Sequence, residues 1–197
     1  MTEPEIKLYE ELISTLDVIF DVGTQEDSPF YEMNPDAEIH LFEPVKDYLD
    51  YLENEVKDKK HNITFNNFAL GSKTETKTFY WKYGAWKKVD IEKFTGLHET
   101  WEVSVRTLND YCDEKGITKI DYLKIDTEGL DFEVIKGGDR YLDCCKYIQF
   151  EHYGTFHNNE TLDEVFDYFK GWNIYKIGGK PMNYLVTKEI VNLEQVR

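Results

Sequence analysis

The stretch Asp17–Gly23 reads DVIFDVG, a short apolar run that contains one internal aspartate and ends in a glycine. Such a run is typical of a strand that is buried on both faces of a parallel sheet. Similar runs follow at Ala37–Phe42 and Ile63–Phe68, and the charged segment between them, Tyr48–Lys60, has a helical pattern. The first part of the chain therefore predicts alternating strands and helices.

The same alternation returns in the second half of the chain. Strands are predicted at Asp121–Ile125 and Lys146–Glu151. Helices are predicted at Thr107–Lys115, from about Leu130 to Lys136, and at Thr161–Lys170. The last two β segments, Trp172–Ile177 and Tyr184–Thr187, are joined by a loop at Gly178–Pro181 that is short enough for an antiparallel hairpin.

Two segments lie outside this alternation. Residues 1–16 carry apolar side chains at the spacing of a helix with one buried face. Residues 72–106 contain β-type stretches at Glu75–Tyr83 and Trp101–Arg106, which predict a β insertion after the third strand. We expect one α/β domain over residues 1–197, with a mostly parallel doubly wound sheet and an antiparallel C-terminal hairpin.

The composition restricts the partners of this fold. The formal net charge is -16, from 39 acidic and 23 basic residues, and it repels nucleic-acid phosphates and anionic membranes. No apolar run approaches the ~20 residues that span a bilayer. The three cysteines include the adjacent pair Cys144 and Cys145, which favours reduced structural thiols. We therefore expect a cytoplasmic protein, or a module of a larger one, that acts neither on nucleic acid nor at a membrane.

The ends of the first two strands predict a nucleoside site. In a doubly wound sheet the ligand lies beyond the carboxyl ends of the strands, near the point where strand order reverses. The first strand ends in Asp21-Val22-Gly23, and 20 residues beyond that glycine the second ends in Glu43-Pro44. In adenosine-binding folds the glycine lets the backbone approach the ligand, and the acid accepts hydrogen bonds from the ribose. Glu43 is our predicted ribose ligand.

The loop after the first strand argues against a dinucleotide. Residues 24–28 contain no further glycine, and Glu26 and Asp27 would repel a diphosphate. S-adenosylmethionine has no phosphate and carries a sulfonium cation, so an acidic cleft suits it better. A nucleotide-dependent oxidoreductase is therefore disfavoured.

The third and fourth strands also end in residues that suit a ligand site. Ala69-Leu70-Gly71 offers a small residue and a turn glycine that would border an adenine or simply form a turn. The run Lys124–Gly129 (KIDTEG) places two carboxylates, Asp126 and Glu128, at the edge of the expected cleft. The alternative for this junction is that Asp126 or Thr127 caps the next helix.

The fifth strand ends in Glu151-His152, where an imidazole beside an acid fits a general base. His157 in the following loop is a weaker candidate, and the other histidines are interpreted as structural or surface residues. The aromatic residues of the insertion either fill the core or stack on a sugar. These are Tyr80, Trp81, Tyr83, Trp86 and Trp101.

Together these motifs resemble the FkbM family of methyltransferases. The segments that carry the resemblance occur in one order: Asp21-Val22-Gly23, Glu43-Pro44, Ala69-Leu70-Gly71, Val105-Arg106-Thr107-Leu108 and Lys124–Gly129. The resemblance implies a Rossmann-like class I methyltransferase fold, S-adenosylmethionine as donor, and O-methylation of a sugar, a glycan or another small molecule. By position it implies that Asp21, Gly23 and Glu43 touch the donor and that Asp126 lies beside its methionine part.

From these arguments we predict two sets of site residues. The residues predicted to contact the donor are Asp21, Gly23, Thr24, Glu43, Pro44, Ala69 and Asp126. The residues predicted for the acceptor side and catalysis are His152, Glu151, Asp126 and Glu128, with His152 as the base and Glu151 or Asp126 orienting it.

The chain departs from the family pattern in the loop after the first strand. The family usually continues through Ala-Asn and another glycine into a full helix, whereas this chain has TQEDSP at residues 24–29. Ser28 is predicted to cap a helix that Pro29 starts and that Asn34-Pro35 limits to about one turn. We therefore expect the donor's carboxylate to be held differently from the family pattern.

Three alternatives stay open. A divalent metal on Asp126 and neighbouring carboxylates is not favoured, because no His and acid pair at helical ligand spacing accompanies them. A glycosyltransferase module in the same pathway or chain would supply a glycan acceptor. The rival interpretation is a non-catalytic α/β module that has lost the cofactor and binds a carbohydrate or a protein.

Overall fold

The computed structural model describes residues 3–57, 62–82, 85–88, 100–152, 160–179 and 182–197, and only the backbone of 80–82 and 85–88. The strands are β1 (Val18–Val22), β2 (Glu38–Phe42), β3 (Asn62–Asn66), β4 (Ala69–Leu70), β5 (Glu75–Lys82), β6 (Ala85–Lys88), β7 (Thr100–Arg106), β8 (Ile120–Ile125), β9 (Cys145–His152), β10 (Asn173–Gly178), β11 (Met182–Thr187) and β12 (Glu194–Gln195). The helices are α1 (Glu3–Leu12), α2 (Phe30–Met33), α3 (Lys46–Val56), α4 (Leu108–Lys115), α5 (Asp131–Gly137) and α6 (Leu162–Tyr168).

The central sheet has eight strands in the order β12-β10-β11-β9-β8-β1-β2-β3. The strands from β3 to β9 in that order run parallel, and β11 is antiparallel to both β9 and β10. Strand order reverses at β1, which lies between β2 and β8. The predicted doubly wound sheet and its C-terminal hairpin are therefore confirmed, while the short edge strand β12 was not predicted.

Both faces of the central sheet are covered, which explains the continuous apolar runs. All six residues of β8 are buried. On one face Phe20 and Leu123 pack under residues of α4, α5 and α6. On the other face Ile19 and Tyr122 pack under residues of α1, α2 and α3. A strand in this position needs apolar side chains on both sides, so its sequence loses the alternation of a surface strand.

Helix α1 is joined to the sheet by a buried polar cluster as well as by apolar packing. The hydroxyl groups of Tyr9 and Tyr122 both donate to Oε1 of Gln149, at 2.8 and 2.7 Å. The amide nitrogen of Gln149 donates to Glu5 at 2.9 Å and to Asn183 at 3.1 Å. Because Gln149 lies in the middle of β9, the cluster anchors the start of the chain on the centre of the fold.

The segment after β3 forms a second sheet of four strands, in the order β4-β7-β5-β6. Along β7, Val103 and Val105 are buried while Glu102 and Ser104 are exposed. Phe79 of β5 joins the buried valines in an apolar cluster, and Trp101 packs against it. The second sheet therefore has one apolar face and one polar face, as the sequence alternation of β7 requires.

Among the helices in the described ranges, none is long and apolar enough to span a membrane.

Candidate functional site

A cleft lies at the carboxyl ends of β1, β2 and β8, where strand order reverses. It contains about 740 Å³ of empty space, counting the part that is open to solvent. Its polar wall comes from the loops that follow these three strands, and its apolar wall comes from β4, β5 and β7 of the second sheet. The residues of the apolar wall are Ala69, Leu70, Phe79, Trp101 and Val103. A cleft of this size and composition is typical of a site for a small molecule.

Gly23 brings the ends of the three strands together. Its φ is +83°, and a Cβ atom at this position would lie 1.9 Å from the carbonyl oxygen of Asp126. The Gly23 amide donates to the carbonyl of Phe42 at 2.9 Å, and the Asp126 amide donates to the carbonyl of Val22 at 2.9 Å. Only glycine fits here, because any side chain would collide with the backbone that follows β8.

Backbone strain in the described part of the chain is concentrated at the cleft. Two non-glycine residues have positive φ, Gln25 at 51° and Glu128 at 56°. Both line the cleft. Unfavourable backbone conformations of this kind persist where the surrounding structure fixes them, and they are frequent at functional sites. The strain therefore supports this cleft as the functional site.

Glu43 lies in the cleft wall with both carboxylate oxygens engaged. Its Oε2 accepts from the Gln25 amide at 2.9 Å, and its Oε1 accepts from the Val45 amide at 2.8 Å. The residue is only 3% exposed. Burial raises the pKa of Glu43 to about 7, although the two amides act to lower it. Each oxygen retains a second acceptor position, so the carboxylate can hold the first loop and still receive a ligand hydroxyl.

Asp21 lies behind the cleft in a buried charge cluster. It is fully buried, and its carboxylate accepts from the Ser28 hydroxyl at 2.7 Å. The ammonium of Lys124 lies 3.4 Å from Asp21 and 3.2 Å from Asp126. Burial alone would lower the pKa of Lys124, but the two carboxylates outweigh it and raise that pKa. Lys124 is therefore a permanent cation that joins the ends of β1 and β8.

The position of Ser28 corrects one prediction. Ser28 does not cap α2, because its hydroxyl group bonds to Asp21 and Pro29 occupies the capping position without a side-chain hydrogen bond. The helix itself is limited to Phe30–Met33, about one turn, as predicted. Neither Asp21 nor Thr24 is among the described residues that line the cleft, so their contact with a donor stays a prediction.

The β8 loop, residues 126–130, forms the other polar wall of the cleft. Asp126, Thr127, Glu128 and Leu130 all line it. The structure contradicts the capping alternative, because α5 has Leu130 at its capping position and no side-chain cap. Instead the Thr127 hydroxyl donates to Oδ2 of Asp131 at 2.8 Å. The two carboxylates predicted at this strand end, Asp126 and Glu128, are therefore brought together with Gly23 and Glu43.

Glu151 and His152 end β9, one strand further from the cleft. Neither side chain is among the described cleft residues. Glu151 is buried, and its amide donates to Oδ1 of Asp131 at 2.9 Å. His152 is half-buried, and burial lowers its pKa, which keeps the ring neutral near pH 7. Their catalytic roles stay predictions, and His157 lies outside the described residues.

Two residues of the apolar wall were not singled out from the sequence. Phe79 and Val103 reach the cleft from β5 and β7 of the second sheet, and the alternating pattern of β7 was the signal for the face that carries Val103. Of the aromatic residues singled out in the insertion, Trp101 lines the cleft, while Tyr83 and the side chains of Tyr80, Trp81 and Trp86 lie outside the described part. The sequence did not indicate a special role for Asp131, because an aspartate at the start of a helical pattern is common.

Within the described ranges, no group of three or more His, Cys, Asp or Glu side chains is arranged to hold a metal ion. The predicted donor residues Pro44 and Ala69 do line the cleft, together with Asp126 and Glu128. The cleft thus combines three carboxylates with an apolar wall, and its described residues form no metal centre.

Comparison with known proteins shows which family this chain is similar to. Residues 21–174 match the family described as the methyltransferase FkbM domain. A relative from Sinorhizobium fredii, the 2-O-methyltransferase NoeI, is 24% identical, and the match covers 75% of this chain and 69% of the relative.

Two solved structures show the fold. The precorrin-6y C5,15-methyltransferase from Geobacter metallireducens has a TM-score of 0.52 at 14% identity, with 96% of this chain and 90% of that chain covered. TrmK from M. capricolum, solved with S-adenosyl-homocysteine, has a TM-score of 0.52 at 11% identity, with 94% and 67% covered. The fold is therefore the Rossmann-like class I methyltransferase fold.

Proposed function

The chain belongs to the FkbM methyltransferase family, and we propose that this methyltransferase transfers a methyl group from S-adenosylmethionine to a hydroxyl group of a sugar, a glycan or a similar small molecule. The observation that carries the proposal is that Gly23 and Glu43 line the same cleft, at the ends of the two neighbouring strands where strand order reverses. A close backbone approach and an acid at the next strand end are what an adenosine requires.

In this proposal the ribose hydroxyls donate to Glu43, and the adenine lies against the apolar wall near Pro44 and Ala69. The methionine part extends toward Asp126. The cleft suits a cation with no phosphate, because its described charged residues are all acidic: Glu43, Asp126 and Glu128. S-adenosyl-homocysteine in the TrmK structure supports the same donor class on this fold.

O-methylation is supported by the relative that is named a 2-O-methyltransferase. When bound, the donor supplies a methyl group on a sulfonium that needs an in-line approach by the acceptor oxygen. Positioning alone contributes ~7 to 11 kcal/mol to such a reaction. We propose that Asp126 or Glu128 orients the acceptor hydroxyl, since both line the cleft. We retain His152 as the base that takes the hydroxyl proton, because its lowered pKa leaves the ring neutral near pH 7.

We also propose that residues 1–197 act as one domain. The support comes from Glu5 and Tyr9 of α1, which bond to Gln149 in the middle of the central sheet. A start of the chain that is hydrogen-bonded into the core in this way belongs to the same folding unit as the cleft.

The first test is calorimetric titration of the chain with S-adenosylmethionine, S-adenosylhomocysteine and NAD. We expect the first two to bind and NAD not to bind, because the first loop holds no further glycine for a diphosphate. Glu43→Ala should weaken binding, whereas Glu53→Ala on the exposed face of α3 should leave it unchanged. Binding by NAD alone, or equal binding by the Glu43→Ala variant, would contradict the proposed site.

The rival function is a non-catalytic module, and the altered first loop is the observation that favours it. The backbone amide of Gln25 in this loop already donates to Glu43 in this structure, so it is not free to donate to a cofactor. An acceptor screen separates the two functions: the chain is incubated with S-adenosylmethionine that carries an isotopic label in its methyl group and with a panel of glycans. Transfer of label to a glycan hydroxyl supports the enzyme. Absence of both donor binding and label transfer supports the module that has lost the cofactor.

A further inference from the structure

Asp131 is a fully buried carboxylate that has no place in the proposed chemistry. It is the first residue of α5, and its side chain is 0% exposed. It is not among the described residues that line the cleft. Its carboxylate receives three hydrogen bonds, all from neutral donors. A carboxylate buried among neutral groups costs free energy unless its hydrogen bonds compensate, so its retention needs a reason.

The three hydrogen bonds connect two strand ends. Oδ2 accepts from the amide of Thr127 at 3.3 Å and from its hydroxyl at 2.8 Å. Oδ1 accepts from the amide of Glu151, at the end of β9, at 2.9 Å. One carboxylate therefore fixes the start of the β8 loop to the neighbouring strand.

The loop that Asp131 holds is the strained wall of the cleft. Glu128 has a φ of 56° and Gly129 has a φ of 97°. The loop is tied on its other side to β1, where the Asp126 amide donates to Val22 at 2.9 Å. With Thr127 bonded to Asp131 and Asp126 bonded to Val22, the loop is held from both neighbouring strands. A backbone in this conformation persists only where such contacts fix it.

An ordinary helix start on the same chain shows the contrast. At α6 the side chain of Thr161 accepts from the Glu164 amide, and Glu164 bonds back to the Thr161 amide, which forms a capping box. The Glu164 carboxylate lies on an exposed surface, and the two hydrogen bonds that it accepts, from the amide and the hydroxyl of Thr161, stay within the first turn of the helix. Asp131 instead bonds to another strand and to a loop that precedes its helix, so helix capping does not account for it.

We propose that Asp131 is a positioning residue that sets the conformation of Thr127–Gly129 and thereby places the Glu128 carboxylate in the cleft. The inference rests on the proposed function only in the part that concerns the donor. It predicts that loss of the Asp131 contacts loosens the loop in the free protein and weakens donor binding in consequence.

Hydrogen exchange of the free chain tests the first part without any ligand. In Asp131→Asn we expect the amides of Thr127, Glu128 and Glu151 to exchange at least tenfold faster than in the wild type. The matched control, Glu164→Gln, should accelerate only the amides at the start of α6. Unchanged exchange at Thr127 and Glu128 in Asp131→Asn would overturn the proposal.

Affinity for S-adenosylhomocysteine tests the second part, at a temperature where circular dichroism shows each variant folded. We expect Asp131→Asn to weaken binding about tenfold, Thr127→Val to weaken it about threefold, and Thr127→Ser to remain within twofold of the wild type. Glu164→Gln should also stay within twofold. If Asp131→Asn does not fold, Thr127→Val removes one of the bonds, and hydrogen exchange in the free chain decides the test: faster exchange of the Glu128 amide supports the role of Asp131, and unchanged exchange overturns it.

The two experiments separate the proposals. A wild-type chain that binds no S-adenosylhomocysteine overturns the proposed donor, while the exchange result still decides whether Asp131 holds the loop. A folded Asp131→Asn variant that binds as well as the wild type overturns the role of Asp131 in the site and leaves the donor proposal intact.

Discussion

The affinity for S-adenosylhomocysteine should fall about tenfold when the pH is lowered from 8 to 6, and Glu43 should be the cause. The pKa of this carboxyl is about 7, because burial raises it and Glu26 and Asp21 add to the effect. With that pKa about nine tenths of the side chains are ionised at pH 8 and about one tenth at pH 6. Ribose hydroxyls donate to the ionised carboxylate, so only that form binds well.

The affinity falls at low pH because the ligand binds the ionised form of Glu43. A ligand that binds the ionised form lowers the pKa of Glu43 in the complex, so binding below pH 7 releases a proton. The loss of affinity between pH 8 and pH 6 then corresponds to about 1.4 kcal/mol. Above pH 8 the affinity should become independent of pH, since the carboxyl is already ionised there.

Calorimetry at pH 6, 7 and 8, in two buffers with different enthalpies of ionisation, measures both the affinity and the number of protons released. Glu43→Gln should bind more weakly at pH 8 and show little pH dependence. Burial also raises the pKa of Asp131 to about 7. Because Asp131 is unchanged in Glu43→Gln, any change of affinity with pH that remains in this variant measures the contribution of Asp131. Equal slopes in the wild type and in Glu43→Gln would refute the assignment of Glu43 as the ribose ligand.

Three further substitutions test the packing around the cleft. Gly23→Ala should abolish S-adenosylhomocysteine binding and destabilise the chain by more than about 2 kcal/mol in urea, whereas Gly116→Ala, also at positive φ but with nothing within 4 Å, should cost about 1 kcal/mol and leave binding unchanged. Lys124→Met should cost about 3 kcal/mol at pH 7 and less as the pH is lowered, because burial already raises the pKa of Asp21 and loss of the ammonium raises it further, so this carboxyl takes up a proton more readily; a loss that does not change with pH would contradict the buried ion pair. Tyr9→Phe should lose about 1 kcal/mol, seen as a fall of roughly 2 to 4 °C in melting temperature, and an unchanged melting temperature would show that the hydrogen bond of Tyr9 to Gln149 does not stabilise the chain.

The order of strands and helices was predictable because burial on both faces leaves a distinct pattern. The run Asp17–Gly23 and its two successors are short and rich in apolar residues, and the structure places them side by side in β1, β2 and β3. The edge strand β12 gave no such pattern, because its two residues, Glu194 and Gln195, are both exposed. Propensity is uninformative for a pair of residues whose pairing depends on a strand formed earlier in the chain.

The composition of the cleft was only partly predictable. Strand ends are visible in the sequence, but the lateral distance between them is not. The structure places His152 at the end of β9, outside the described lining of the cleft that holds Asp126, and its role as the base stays a prediction. The partner of Ser28 was also hidden, because a hydroxyl beside a proline suits a helix cap as well as a bond to a buried aspartate. Side-chain partners of this kind are decided by tertiary packing.

The amphipathic second sheet shapes the cleft without being part of the hydrogen-bonded ladder of the central sheet. Its apolar face closes one side of the cleft, yet its strands are absent from the eight-stranded order of the central sheet. Substitutions that enlarge or narrow this wall, at Phe79 or Trp101, therefore leave the hydrogen-bonded ladder of the central sheet intact. The insertion is a region where selectivity for a ligand can diverge during evolution, or be redesigned, without rebuilding the scaffold that folds.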